Sequence, residues 1–123
     1  MQVAAATTAP PLDTEELLGR CLGKSELVQR VLGRFQRQLT QDLTRIAAAV
    51  AAADAAAVAK FAHRIKGAAA NVSAHAVRQQ AAVLEAAARA EAWDQIRAEL
   101  DALTLERDEF DSAWQQLAWN SGT

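Results

Sequence analysis

The stretch Ala62-His63-Arg64-Ile65-Lys66-Gly67-Ala68-Ala69-Ala70-Asn71-Val72 sets an imidazole, an amine and a glycine within one helical turn. Imidazole is a nucleophile and a general acid or base near neutral pH. An amine three residues on supplies a positive charge. On a helical wheel of about 100° per residue, Val58, Phe61, Ile65, Ala69 and Val72 share one arc, the face that must be buried. His63 falls roughly 140° from the centre of that arc, so the wheel aims it at solvent. Its face neighbours Ala56, Ala59, Gly67 and Ala70 are nearly without side chains, and Lys60 and Lys66 flank it one turn to either side. The expectation is an exposed imidazole on a bare platform with amines within reach.

Other uses of these residues fit less well. A core histidine is excluded by the wheel. A metal site lacks partners, because His75 does not stand at i+4 and no Asp or Glu shares the helix face. Gly67 in mid-helix costs about 1 kcal/mol relative to alanine, in a chain that uses alanine freely. Such a glycine makes sense where another molecule comes close to the backbone. A packing glycine would sit on the buried face, and Gly67 does not. His75 belongs to the first turn of the following helix, where the positive helix end disfavours a charged imidazole. Cys21 stands alone, so no disulfide and no cysteine metal centre is expected; it reads as a small core residue in a reduced, cytoplasmic setting.

The elements that must hold this stretch are all helical. Half of the 123 residues are hydrophobic, alanine is abundant, the two prolines stand side by side at Pro10 and Pro11, and no segment shows strand alternation. Asp13, with Glu16 three positions later, opens a first helix that is expected to be short because Gly19 and Gly23 bracket Arg20-Cys21-Leu22. Ser25 is the expected cap of a long second helix with the stripe Val28, Leu32, Phe35, Leu39, Leu43, Ile46 and Val50. Asp54 breaks the alanine run and caps the third helix, which Asn71 closes as C-cap. Ser73 is expected to cap the fourth, with Val77, Ala81, Leu84 and Ala88 inward. The last begins around Ala92 and carries Trp93, Ile96, Leu100, Leu103, Phe110, Trp114 and Leu117. Arg107 interrupts that stripe, as expected of a residue snorkelling near an end of the bundle. Trp119, one step past the stripe, is expected to be exposed. The expected architecture is an all-α, up-and-down four-helix bundle over residues 13–119 with the short first helix as a lid. Residues 1–12 read as a disordered lead-in or linker, and 120–123 as a tail.

A formal net charge of −2 argues against nucleic acid or an anionic membrane as the main partner, and no apolar run is long enough to span a bilayer.

The motif resembles the histidine-containing phosphotransfer (HPt) domain family: a histidine, two residues, Lys-Gly, small residues, then Asn and an aliphatic. The resemblance extends over roughly residues 13–118, including the helix order and Leu84-Glu85-Ala86-Ala87 in the fourth helix. It implies that His63 exchanges a phosphoryl group with an aspartate of a response-regulator receiver domain, with that regulator and/or a hybrid sensor histidine kinase as partner, the module being free-standing or part of such a kinase. It implies that Lys66 steadies the phosphoryl oxygens and that Gly67 leaves room for the partner. Mg²⁺ is then expected on the receiver, with no cofactor or metal on this chain, which acts as carrier rather than enzyme. The family usually has glycine at Ser73, so a small change in that turn is expected. Docking is expected around Ala56, Ala59, Lys60, Arg64, Gly67 and Ala70, with Arg34, Gln38 or Gln41 from the second helix, and a monomer suits a closed bundle. Two other readings remain: a helical adaptor without phosphotransfer, and the phosphoacceptor domain of a chemotaxis-type kinase. Dimerising histidine-kinase domains usually carry an acidic residue after the histidine, where Arg64 stands here.

Overall fold

A computed structural model describes residues 11–121, with side chains as far as Leu117. Its five helices are α1 (Thr14–Arg20), α2 (Ser25–Ala51), α3 (Ala55–Asn71), α4 (His75–Arg89) and α5 (Trp93–Ser121). Among the described residues there is no strand, and no helix is long and apolar enough to cross a membrane. The four long helices close a ring in which α2 packs on α3, α3 on α4, α4 on α5, and α5 back on α2. The all-α bundle with a short extra N-terminal helix is thus the observed architecture.

Periodicity builds the core as expected. Val28, Leu32, Phe35, Leu39, Leu43 and Ile46 of α2 are buried against Val58 and Ile65 of α3, Val77 and Leu84 of α4, and Ile96, Leu103 and Phe110 of α5. The Phe35 and Phe110 rings meet edge to face at 5.1 Å, a favourable aromatic geometry. Trp114 lies over Gly33, where an added Cβ would stand 3.6 Å from the indole, and its Nε1–H donates to Gln29. The α3–α4 contact is the most extensive in the bundle. Buried alanines on both helices (Ala59, Ala62 and Ala69 facing the side of Ala81, Ala87 and Ala88) let the two axes approach closely.

All four turns end the preceding helix in the same way. Leu22, Ala53, Ser73 and Glu91 adopt left-handed φ values of 57, 55, 60 and 52°. The following residue's N–H then donates back across the turn: Gly23 to Leu18, Asp54 to Ala49, Ala74 to Ala69, and Ala92 to Ala87, all within 2.9–3.1 Å. This is the Schellman termination, which usually takes glycine at the left-handed position. Its demand for one left-handed and one extended residue moves several boundaries. Asn71 is the last residue of α3 and Val72 its C-cap. Ser73 is the left-handed residue, not the cap of α4, and Ala74 stands at the N-cap without a side-chain bond. Ser25 is likewise the first residue of α2, behind Lys24. Asp13 and Asp54 do cap, accepting from the amides of Glu16 and Ala57 at 3.0 Å.

The position of α1 over the α3–α4 turn follows from polar contacts. The Asp13 amide donates to the Ser73 carbonyl, the buried Ser73 hydroxyl donates to Glu16, and the Arg20 guanidinium donates to the carbonyls of Ala70 and Asn71. Leu12 is buried in the core, so the packed region starts within the stretch read as lead-in. Arg107 is not at a bundle end. It lies midway along α5, half-buried, paired with Asp108 at 2.9 Å and Asp111 at 3.8 Å. Its carboxylate neighbours let a guanidinium sit between buried Leu103 and Phe110 without reaching for an end. The expected exposure of Trp119 and most of the lead-in and tail lie outside the described residues and side chains.

Candidate functional site

Asp54 starts α3 and the apolar arc fixes its rotation, so His63 projects from the outer side of the helix with 64% of its side chain exposed. The wheel is correct for His63 but incomplete for its surroundings. Glu85, from α4, reaches the imidazole: its Oε2 lies 3.2 Å from His63 Nδ1 and its Oε1 lies 2.9 Å from Lys66 Nζ. The expectation that no Asp or Glu shares the face of His63 therefore holds only within α3 itself. No carboxylate of α3 shares that face, but the close α3–α4 packing brings one in from the neighbouring helix. The Glu85 side chain is only 8% exposed. Arg89, one turn further along α4, donates to the same Oε2 through Nη2 at 2.6 Å and Nε at 3.2 Å.

This setting fixes the charge on Glu85. The hydrogen-bonded Lys66 ammonium is the main cause that pulls its carboxyl from the ordinary 4.5 down to about 2; burial opposes, and Arg89 and the nearby His63 add to the lowering. A carboxylate so held is an acceptor only. The bond to His63 then requires a proton on Nδ1; in the neutral ring the lone pair therefore lies on Nε2, pointing away from Glu85.

The other expected residues divide. Lys66 is brought to the site, half-buried and tied to Glu85. Gly67 is exposed, and an added Cβ there would meet nothing within 4 Å, so packing does not explain the glycine. Ala56 is exposed and Ala70 half-buried. Ala59 is buried at 7% exposure, which corrects its place on an open platform: α4 covers that flank of α3. It nevertheless lines, with Ala56, Lys60, Ala88 and Arg89, an open concavity of about 640 Å³ between the start of α3 and the end of α4. Lys60 and Arg64 are exposed and gather with Arg45 around the Phe61 ring at 5.4–5.8 Å. Arg64 is anchored 3.5 Å from the buried Asp42, whose carboxylate also accepts from Gln38 and Arg45. Gln38 is thus occupied from within, and Gln41 is exposed. Arg34 turns instead to a groove with Val31 and Trp114, on the α2–α5 side of the bundle.

Sequence reasoning missed Glu85, Arg89 and Asp42. For Glu85 a signal existed: it flanks the buried α4 stripe beside Ala81, Leu84 and Ala88, where a carboxylate needs a partner.

A second polar cluster lies away from His63. His75 Nε2 stands 3.4 Å from Glu16 Oε1 and 4.0 Å from Asp13 Oδ2. These three are, among the described residues, a set whose ligand atoms converge closely enough for a metal ion. Asp13 and Glu16 are also the residues that fasten α1 to the α3–α4 turn.

The comparisons agree with this geometry. The Hpt domain family model matches residues 30–116, more than half of the chain and all of the His63–Glu85–Arg89 constellation. No curated protein matches the chain. Among solved structures, histidine-containing phosphotransfer protein B (HptB) from Pseudomonas aeruginosa PAO1 shares the fold. Its TM-score is 0.83 at 24% identity, covering 92% of this chain and 98% of that one. With a family model spanning most of α2 to α5 and the motif histidine exposed at its centre, the chain belongs to the Hpt domain family.

Proposed function

We propose that this Hpt domain serves its phosphorelay through His63, which takes a phosphoryl group on Nε2 from an aspartate of a response-regulator receiver domain and passes one back. The observation that carries this reading is the Glu85 contact to Nδ1 of an otherwise exposed imidazole. It selects the tautomer whose free lone pair faces solvent.

In the forward step the Nε2 lone pair attacks the phosphorus of the aspartyl phosphate. The N–P bond forms as the P–O bond to the aspartyl carboxyl breaks, and the carboxylate departs with that electron pair. The ring gains a positive charge, and its Nδ1–H stays on Glu85, which remains anionic and does not take the proton. Lys66, held beside the ring on Glu85, supplies a cation for the phosphoryl oxygens, whose negative charge it stabilises during transfer. Return to an aspartate reverses these bonds. The Mg²⁺ such transfers use belongs on the receiver in this reading, and the chain is a carrier, acting as a monomer in the cytoplasm. Lys60, Arg64 and Gly67 form the docking surface with Ala56 and Ala70, and the concavity beside them receives the partner.

Incubation with phosphorylated receiver domains, with His63→Gln in parallel, tests this. Acid-labile label on the native chain and none on His63→Gln is the expected result. Equal label on both moves the site elsewhere, and no label from any of several receivers overturns the carrier reading in favour of an adaptor.

A further inference from the structure

The Lys66 amine has two demands on it: it neutralises the buried Glu85 in the resting site, and transfer needs it at the phosphoryl oxygens. Moving a cation off a buried carboxylate is strongly unfavourable when nothing replaces it. The site holds a replacement. Arg89 already places two N–H donors on Glu85 Oε2, while Lys66 sits on Oε1. We propose that Arg89 is the counter-ion that releases Lys66, holding Glu85 charged and in place while the amine follows the phosphoryl group. The inference rests on His63 being the phosphoryl carrier.

Three features favour Arg89 for this part. It lies at i+4 from Glu85 with the carboxylate nearer the helix N-terminus, the better order for such a pair. It occupies the last turn of α4, where a cation meets the negative end of the helix. Its guanidinium does not lose its proton, and its planar fork can keep two bonds on one carboxylate. The charges also balance. With the ring neutral, as attack through Nε2 requires, Glu85, Lys66 and Arg89 sum to +1. After transfer, a protonated ring bearing a dianionic phosphoryl group adds −1, and the group becomes neutral. Glu85 then keeps the ring N–H and Arg89, and Lys66 is free. Arg89 touches no reacting atom; it is a positioning residue, with 65% of its side chain exposed, so its replacement spares the core.

The test compares the native chain with Arg89→Ala and Arg89→Lys, using phosphoramidate as a small donor that needs no docking. The rate of His63 labelling and the NMR shift of the Lys66 Cε and Nζ on phosphorylation are the readouts, with thermal unfolding alongside. Labelling of Arg89→Ala is expected to slow roughly fivefold, the upper end for an exposed pair. Its Lys66 signals should stay near their resting values, and Arg89→Lys should recover both. Arg89→Ala labelling at the native rate, with a native Lys66 response, overturns the proposal while leaving His63 as carrier. A native chain that takes no phosphoryl group from phosphoramidate or from any receiver overturns both.

Discussion

At the scale of residues, one buried carboxylate organises the site. Glu85 joins an imidazole, an ammonium and a guanidinium that come from two helices. Glu85→Gln keeps the shape but removes the obligatory acceptor, so the His63 tautomer is no longer fixed and transfer should slow on the order of tenfold. Stopped-flow labelling from a phosphorylated receiver measures this, with circular dichroism showing unchanged helix content. The same residue predicts a pH dependence. Its carboxyl is lowered from 4.5 to about 2 by folding, Lys66 being the main cause. A group lowered by folding stabilises the folded chain fully above its unfolded value and loses that contribution as pH falls through the folded one. The stability advantage of the native chain over Glu85→Gln should therefore be constant near neutrality and shrink between about pH 4.5 and 2. Urea unfolding at pH 7 and pH 3 checks it; an equal difference at both values contradicts the assigned role of Glu85. His63, Lys66 and Gly67 were legible in sequence because one turn of one helix contains them. Glu85, Arg89 and Asp42 were not, since helix-to-helix packing brings them to α3 and a single-helix wheel holds no such term.

At the scale of elements, the helices were legible from apolar spacing and two aspartate caps, whereas the turns hid behind unusual residues. Three of the four non-glycine left-handed positions, Ala53, Ser73 and Glu91, sit in the turns around the motif helix and its neighbour without any glycine signal. Ser73 shows why a glycine is usual there: its φ of 60° is one that a Cβ makes strained. Here the buried hydroxyl compensates by bonding Glu16, which makes the turn part of the anchor for α1. Ala53 has no such compensation and is exposed. Ala53→Gly should accordingly stabilise the bundle by about 0.5–1 kcal/mol, a rise of a few degrees in Tm. Differential scanning calorimetry reads the change; a fall in Tm of similar size contradicts the left-handed assignment. That gain at Ala53 contrasts with Gly67, a glycine the fold does not require.

At the scale of the whole molecule, the net charge of −2 conceals a positive face. Lys60, Arg64 and Arg45 gather around Phe61 where α3 meets α2, and Lys66 and Arg89 outnumber Glu85 at His63. Such a face suits a partner that presents an acidic phosphoryl pocket. The open space over Gly67 lets that partner come close to α3. Gly67→Leu should cut labelling from a receiver at least tenfold, by analogy with misplacement of reacting groups, and leave labelling by phosphoramidate unchanged. Loss of both, or of neither, contradicts close docking at this helix. The most direct test of the central claim is the position of the phosphoryl group itself. The chain, labelled with ¹⁵N-histidine and phosphorylated by a receiver, should show phosphorus–nitrogen coupling at Nε2 of His63, with the Nδ1 signal that of a protonated nitrogen. Phosphorus on Nδ1 of His63, or on His75, contradicts it.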